Sequence, residues 1–241
     1  MELYDTIGHG YRQLRQQDPR IAARILRVLG GATSVVNVGA GAGSYEPRDR
    51  KLIAVEPSMV MIRQRASNAA PVVQASATCL PFRDASFDAS LAVLTIHHWP
   101  DLSRGLQELR RVACQIVVIL TFDTSVGGFW LTDYFPEMPD IDRQSMPSIA
   151  EMQRHLGSIA VFDVPVPHDC TDGFLGAYWR RPHAYLDANI RSAISIFSKM
   201  EGVEDGLAVL QADLASGRWH HRYGHLLHRS ELDLGYRLVV A

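Results

Sequence analysis

The stretch VVNVGAGAGSYE at residues 35–46 runs from an apolar strand directly into glycines on alternate positions. Glycine is costly to order, so a glycine-rich turn after a strand indicates that something lies very close to the backbone. Such turns most often hold a nucleotide. As a dinucleotide fingerprint the pattern is imperfect, because Gly39 and Gly41 fit but Ser44 stands at the third glycine position.

The connection after these glycines is short. Only seven residues, 44–50, separate Gly43 from the apolar run KLIAVE at 51–56, and one of them is Pro47. Since a normal crossover needs about 10–12 residues, we expect one helical turn at most. A pyrophosphate is usually held at the N-terminus of a full helix. The spacing therefore favours a nucleoside ligand without phosphates over a dinucleotide.

An acidic residue, Glu56, ends the second predicted strand 17 residues after Gly39. An acid at this place can accept hydrogen bonds from both ribose hydroxyls of an adenosine. The alternative is an ordinary surface carboxylate at a strand end. The order of strand, glycine loop and acid favours the ribose.

Composition limits the class of protein. The chain has 241 residues, of which 47% are hydrophobic and 21% charged, with a net charge of -2. These values indicate a globular domain. Its small negative net charge does not attract nucleic acid or an anionic membrane. The polar amino terminus, the lack of a long apolar run, and cysteines without a C-x-x-C motif lead us to expect a cytoplasmic protein.

Strands and helices alternate along the first half of the chain. Predicted strands at 34–39, 51–56, 71–74, 87–95 and 114–122 favour a doubly wound, mostly parallel sheet. After residue 122 the alternation breaks, although 148–157 has a helical pattern and 159–167 and 234–241 have strand patterns. We predict one domain, 1–241, with an N-terminal helical cap at 1–30 and substrate-lid insertions at 124–148 and 168–228.

Four stretches together resemble one family. VVNVGAGAG, AVEPS, SATCLPFRDASFD (76–88) and LTIHHWPDLSRGLQELRRV (94–112) look like a class I S-adenosylmethionine-dependent methyltransferase. They resemble the branch that includes quinone-biosynthesis and many small-molecule enzymes. The resemblance implies a Rossmann-like sheet of seven strands with an antiparallel last strand. It also implies S-adenosyl-L-methionine as cofactor, with its ribose on Glu56 and its adenine beside Ser76 and Ala77.

Two positions depart from the family pattern, which usually has acids where this chain has Asn37 and Ser76. We expect cofactor binding to survive both changes. Near the amino terminus, Arg15 could pair with the methionine carboxylate, and an aromatic face such as Tyr11 could attract the sulfonium. The residues expected to bind the cofactor are Tyr11, Arg15, Asn37, Gly39, Ala40, Gly41, Gly43, Glu56, Pro57, Ser76, Ala77, Val93 and His97.

Catalysis of methyl transfer asks mainly for positioning and exclusion of water, with a general base where the nucleophile carries a proton. His97 and His98 follow the fourth predicted strand, at the carboxyl end of the sheet where ligands bind. We take His98 as the candidate base, and helix-start packing is the alternative.

The second half of the chain holds three of the four tryptophans. Flat rings with polar neighbours suit an apolar or aromatic acceptor. We therefore predict an acceptor pocket walled by Trp130, Tyr134, Tyr178 and Trp179, and the alternative is that these rings form the core of the lid itself.

Histidines recur at His221, His225 and His228, a spacing that a helix would place on one face. Three imidazoles can bind zinc, but Gly224 weakens the helix and no carboxylate or cysteine lies nearby. We predict no metal site. The sequence thus favours methyl transfer to an O, N or C nucleophile of a small, ring-containing metabolite. An NAD-type oxidoreductase and a catalytically silent S-adenosylmethionine-binding protein are the alternatives, and the oligomeric state stays open.

Overall fold

The computed structural model describes residues 14–241, so Tyr11 and the first part of the predicted cap lie outside the described residues. A seven-stranded sheet has the order β3-β2-β1-β4-β5-β9-β6. Its strands are β1 (Ser34–Val38), β2 (Lys51–Val55), β3 (Val72–Val73), β4 (Phe87–Val93), β5 (Ala113–Phe122), β6 (Ala160–Asp163) and β9 (Tyr236–Val240). A separate two-stranded ladder pairs β7 (Val166–Pro167) with β8 (Glu231–Leu232).

The strand directions confirm the predicted fold class. β1 to β5 run parallel to one another, whereas β9 runs antiparallel to both β5 and β6. The stretch 159–167, which has a strand pattern, forms two short strands, because the chain leaves the large sheet after Asp163 and pairs elsewhere from Val166. Pro165 stands at the break, and proline has no N–H to continue a ladder.

Helices connect the strands and build the second half. They are α1 (Pro19–Leu29), α2 (Met59–Arg63), α3 (Leu102–Val112), α4 (Met138–Ser145), α5 (Ile149–Leu156), α6 (Ala188–Ser192), α7 (Val203–Ser216) and α8 (Arg218–Tyr223). Side-chain caps set several starts: Asp18 accepts from the amide of Arg20, and Ser58 accepts from that of Met61. Within residues 14–241, no helix has both the length and the apolar character needed to cross a membrane.

The sheet separates two apolar layers, because successive residues of a strand point to opposite faces. On β5, Val118 and Leu120 belong to the core that also contains Ile25 of α1. Val117 and Ile119, their neighbours in sequence, belong to the core with α3 and α5 on the other face. The result is a three-layer α/β/α arrangement.

The crossover between β1 and β2 contains no helix, as its length and Pro47 predict. Residues 41–50 form turns and bends, and β2 begins directly at Lys51. Arg50 fastens the end of this connection, since its Nη1 donates to the carbonyl oxygen of Ala32 at 3.0 Å. The sheet therefore lacks the full helix whose N-terminus holds phosphates in dinucleotide-binding proteins.

The segments 124–148 and 168–228, predicted as lid insertions, share a group of aromatic side chains, which we call the lid core. Its members are Trp130, Tyr134, Tyr178, Trp179, Tyr185 and Trp219, all buried. Trp130 packs edge-on against Tyr185 and Trp219, with ring centroids 5.6 and 5.3 Å apart. Trp130 Nε1 also donates to the carbonyl oxygen of Trp179 at 2.7 Å. These contacts fasten the two insertions to each other.

Candidate active site

A first cleft opens at the carboxyl ends of β1, β2 and β4, where ligands bind in open α/β sheets. It encloses about 940 Å³ of empty space, counting its mouth. Residues far apart in sequence meet there, and most of the predicted cofactor residues are among them. Those predicted residues are Arg15, Asn37, Gly39, Ala40, Gly41, Glu56, Pro57, Ser76, Ala77 and Val93.

The glycine loop brings β1 close to the end of β4. Gly39 has a φ of 71°, and a Cβ there would lie only 2.1 Å from Oγ1 of Thr95. The amides of Gly39 and Ala40 both donate to the carbonyl oxygen of Val55, at 2.9 and 3.0 Å. The floor of the cleft is thus bare backbone, held in place by the end of β2.

Glu56 is oriented by backbone amides. Its Oε2 accepts from the amide of Gly41 at 2.7 Å, and its Oε1 accepts from the amide of Ser58 at 3.0 Å. The side chain is buried but lines the cleft. Hydrogen bonds to a charged acceptor are among the stronger ones in proteins, so this carboxylate has a fixed position beside the glycine loop.

Asn37 presents an unsatisfied acceptor to the same cleft. Its side chain is buried, and no donor among residues 14–241 reaches its Oδ1. Leaving a buried acceptor without a donor costs about 1–3 kcal/mol. A ligand that brings an N–H or O–H donor would remove this cost, so the orphaned oxygen fits a polar ligand at the end of β1.

A second cavity adjoins the first at Arg15 and Leu94, which line both. It encloses about 650 Å³ of empty space, counting its opening. The ends of β4 and β5 form one side and the insertions form the other. Its remaining lining residues are His97, Phe122, Asp142, Met146, Phe174, Leu175, Ala193, Ile194, Ser195, Ile196, Lys199 and Tyr236.

The junction between the two cavities has strained and charged features. Leu94 has a φ of 50°, in the left-handed region that a branched side chain rarely adopts. Arg15 Nε pairs with Oδ1 of Asp172 at 2.6 Å, and the hydroxyl of Tyr45 donates to Oδ2 of Asp172 at 2.9 Å. Burial, and then the Asp172 charge, raises the pKa of Tyr45 well above its usual value, so this hydroxyl keeps its proton.

The two histidines after β4 face different cavities. Residues 96–98 form a 3₁₀ turn, in which neighbouring side chains point about 120° apart. His97 lines the second cavity and His98 lines the first, although their ring centroids are only 3.8 Å apart. His97, predicted to bind the cofactor, therefore does not line the first cleft, whereas His98, the candidate base, does.

Both imidazoles are neutral near pH 7. Burial, with the charges of Lys199 and Arg15, lowers the pKa of His98 to about 4. Burial and the neighbouring His98 lower the pKa of His97 well below its usual value. Neutral imidazoles can accept or donate a hydrogen bond, but they are weak proton acceptors when their pKa is so low.

Asp142 is the carboxylate of the second cavity. It lies on α4, is 8% exposed, and has Met138 one turn before it on the same buried face. Burial raises its pKa from 3.8 to about 6, and the charge of Lys199 opposes this shift. Asp142 was not among the residues predicted from the sequence. Its position four residues after Met138, on the same face of a helix, was a signal that it is buried.

We expect Asp142 to make stability depend on pH. Because its folded pKa is raised, its contribution is fully present below pH 3.8 and is lost as the pH rises through about 6. In Asp142→Asn this loss disappears, so the variant gains on the order of 3 kcal/mol relative to the wild type between pH 4 and pH 7. Urea unfolding of both proteins across that range measures the difference, and parallel stability curves would contradict the expectation.

The predicted acceptor walls do not line either cavity. Trp130 is 3% exposed and Trp179 is 0% exposed, and Tyr134 and Tyr178 are also buried. Their polar atoms are engaged inside the protein: Trp179 Nε1 donates to the carbonyl oxygen of Val166, and the hydroxyl of Tyr134 donates to Asp213. Their burial agrees with the alternative, an aromatic core within this part of the chain, rather than with walls of either cavity.

Two further predicted features fall elsewhere. Gly43 does not line the first cleft, and a Cβ there would face Nη1 of Arg65 at 3.3 Å. His221 lies in α8, whereas His225 and His228 lie in a 3₁₀ turn at Gly224–His228, so the three are not on one helix. Among residues 14–241, no three histidine, cysteine or acidic side chains are placed to hold a metal ion.

This chain is similar in sequence and in fold to known proteins. A family described as "Methyltransferase domain" matches residues 36–116, which hold the glycine loop, Glu56 and β4. A solved putative methyltransferase from an antibiotic biosynthesis pathway of Anabaena variabilis is 33% identical, with a TM-score of 0.85. The alignment covers 95% of this chain and 99% of that one. The chain belongs to the class I S-adenosylmethionine-dependent methyltransferases.

Curated relatives are similar over shorter stretches. A tRNA (carboxymethyluridine(34)-5-O)-methyltransferase of Schizosaccharomyces pombe is 25% identical, over 48% of this chain and 51% of its own length. A chloroplastic 2-methyl-6-phytyl-1,4-hydroquinone methyltransferase of rice is 26% identical, over 56% of this chain and 42% of its own length. The chain thus spans about half, or less, of these relatives. Since one is named for a tRNA and the other for a hydroquinone, family membership leaves the acceptor open.

Proposed function

We propose that this protein transfers a methyl group from S-adenosylmethionine in the first cleft to a small molecule in the second cavity. The observation that carries the proposal is the junction of the two cavities at Arg15 and Leu94. When bound, S-adenosylmethionine supplies a methyl group activated by a sulfonium. The protein then has to hold the donor and the acceptor in line and keep water away from them.

The residues of the first cleft fit this ligand. Glu56 would accept from the ribose hydroxyls, and the bare backbone at Gly39 and Gly41 lets the ligand approach closely. The orphaned Oδ1 of Asn37 would accept from the amino group of the methionine moiety. Arg15 would face its carboxylate, and family resemblance assigns the adenine to Ser76 and Ala77, which line the cleft.

The second cavity fits a compact, mainly apolar acceptor. Its walls include the rings of Phe122, Phe174 and Tyr236, together with aliphatic side chains from the insertions. Pockets for small molecules are mostly apolar with a few placed polar groups, and this cavity has that composition. We therefore assign the insertions the role of a lid that covers the acceptor, in a protein that we expect to be cytoplasmic.

Glu56→Ala tests the donor site. Removing a charged acceptor from ribose hydroxyls should weaken S-adenosylmethionine binding about 10- to 100-fold, since such hydrogen bonds are worth about 1.5–3 kcal/mol. Calorimetry with S-adenosylmethionine, S-adenosylhomocysteine and NAD measures this affinity and the cofactor preference. Asp49→Ala is the control, because Asp49 is an exposed acid that pairs with Arg50 in the neighbouring crossover.

Loss of less than about twofold in Glu56→Ala, in a protein shown to be folded by circular dichroism, would mean that Glu56 does not hold the ribose. Methyl-transfer assays on a panel of metabolites then separate an enzyme from a catalytically silent binding protein. Preference for NAD would contradict the proposed function altogether.

A further inference from the structure

We propose that Asp142 is the general base of the second cavity, and that the acceptor is a hydroxyl of the phenol or enol class on a flat apolar body. This inference rests on the proposed function and specifies its acceptor. It gives a chemical role to a buried carboxylate that the donor site does not use.

Asp142 differs in its pairing from two other buried carboxylates, Asp172 and Glu108. Asp172 is paired with Arg15 and Tyr45, and Glu108 is paired with Arg111 at 2.7 Å. The side chain of Asp142, by contrast, accepts no hydrogen bond from residues 14–241; its charge interacts with that of Lys199 and with the hydroxyl of Tyr236. Buried carboxylates are normally hydrogen-bonded, so this one is placed for a donor that a ligand brings.

The charges of the cavity favour an oxygen acid over an amine. Besides Asp142, the titratable groups that face it are Arg15, His97, Lys199 and Tyr236. Arg15 and Lys199 are cations, while burial keeps His97 neutral and raises the pKa of Tyr236 above its usual value. Because Arg15 is already paired with Asp172, it is Lys199, together with the sulfonium of the donor, that disfavours an ammonium group and stabilises an oxygen that becomes anionic as its proton leaves.

The walls favour a flat ring. Tyr236 packs against Phe174 and Phe122, with ring centroids 4.5 and 5.4 Å away, and its hydroxyl accepts from the amide of Gly176 at 3.1 Å. That bond occupies one lone pair of the hydroxyl, which is the only polar atom of the three rings, so the wall that they form is mainly apolar. Aromatic faces and edges of this kind pack well against another ring.

Atoms and electrons balance in the proposed reaction. The hydroxyl proton of the acceptor moves to a carboxylate oxygen of Asp142, and the oxygen lone pair forms the new bond to the methyl carbon. The bond between methyl carbon and sulfur breaks, and its electron pair stays on sulfur. Asp142 afterwards gives the proton to water. A carboxyl with a pKa near 6 is ionised at neutral pH yet basic enough for this task.

Two phenols of different acidity test the inference. With 4-methylphenol, which is un-ionised at neutral pH, Asp142→Asn should lower kcat about 100- to 10,000-fold, the usual contribution of a general base. With 4-nitrophenol assayed at about pH 8, where most of it is already ionised, the loss should fall below about tenfold. The wild-type rate with 4-methylphenol should also rise with pH through about 6, and this limb should vanish in the variant.

Asp140→Asn is the matched control, because Asp140 lies on the same helix but is exposed and pairs with Arg143. It should keep full activity. Affinity for S-adenosylhomocysteine, measured by calorimetry, should stay within about twofold in Asp142→Asn, because Asp142 does not line the first cleft.

Three results would overturn the inference: equal losses with both phenols, methylation of amines but not phenols, or no binding of either phenol at millimolar concentration. A wild-type protein that does not bind S-adenosylhomocysteine would instead overturn the proposed function. The two failures are thus distinguishable.

Discussion

Replacing Asp172 with alanine should lower the free energy of unfolding by about 3–5 kcal/mol, the usual cost of removing one partner of a buried ion pair. Asp172 is 0% exposed and binds both the guanidinium of Arg15 and the hydroxyl of Tyr45. Without it, the guanidinium of Arg15 loses a buried carboxylate and the hydroxyl of Tyr45 loses its acceptor at the junction of the two cavities. Urea unfolding at pH 7 measures the loss.

Asp169→Ala is the control for this experiment. Asp169 lies three residues earlier in the same segment and also pairs with an arginine, Arg20, but both side chains are largely exposed. Exposed ion pairs contribute about 0–1 kcal/mol, so this variant should be close to the wild type. If Asp172→Ala lost no more than Asp169→Ala, the junction would not depend on the buried pair.

Gly41→Val should abolish cofactor binding, with a loss of affinity of at least about 100-fold. A Cβ at Gly41 would meet only Cε of Met61, at 3.3 Å, and otherwise open space. That open space is the first cleft, so the added isopropyl group would fill the volume that the ligand needs. Calorimetry with S-adenosylmethionine gives the affinity, and circular dichroism shows whether the fold persists.

The backbone angle requires its own control, because Gly41 has a φ of 52°, which valine adopts only with strain. Gly30 has a φ of 51°, no atoms within 4 Å of a Cβ, and a position at the end of α1, outside the first cleft. Gly30→Val therefore brings a similar strain without blocking the cleft and should retain cofactor binding. Equal affinity of Gly41→Val and the wild type would rule out the assigned donor site.

The residues that line the first cleft could be predicted because their signals are local. Glu56, the glycines and the short crossover lie within about 20 residues, and their order along the chain fixes their order along the edge of a parallel sheet. The apolar strand patterns likewise predicted the strands of the sheet, including the last one, Tyr236–Val240. The short crossover could be predicted by counting the seven residues between Gly43 and Lys51.

The acceptor side could not be predicted in the same way. Asp142, Phe174 and Lys199 come from three separate segments, and only tertiary packing brings them to one cavity. Aromatic content alone does not distinguish a ring that faces a ligand from one that faces another ring, and Trp130 and Trp179 proved to be of the second kind. The same holds for the 3₁₀ turn after β4. His97 and His98 are neighbours in sequence but line different cavities, and the sequence does not show which imidazole faces which cavity.

The lid core has a consequence for how the enzyme can change. Its aromatic residues belong to the same continuous apolar cluster as Val35, Leu91 and Val118 on one face of the sheet. Shared packing of this kind couples both parts into one cooperative unit, so we expect that the segments 124–148 and 168–228 cannot be exchanged as a module without destabilising the sheet. Substrate range in this protein should therefore diverge through single side chains that face the acceptor, such as Ile194 or Met146, while the scaffold behind them stays constant.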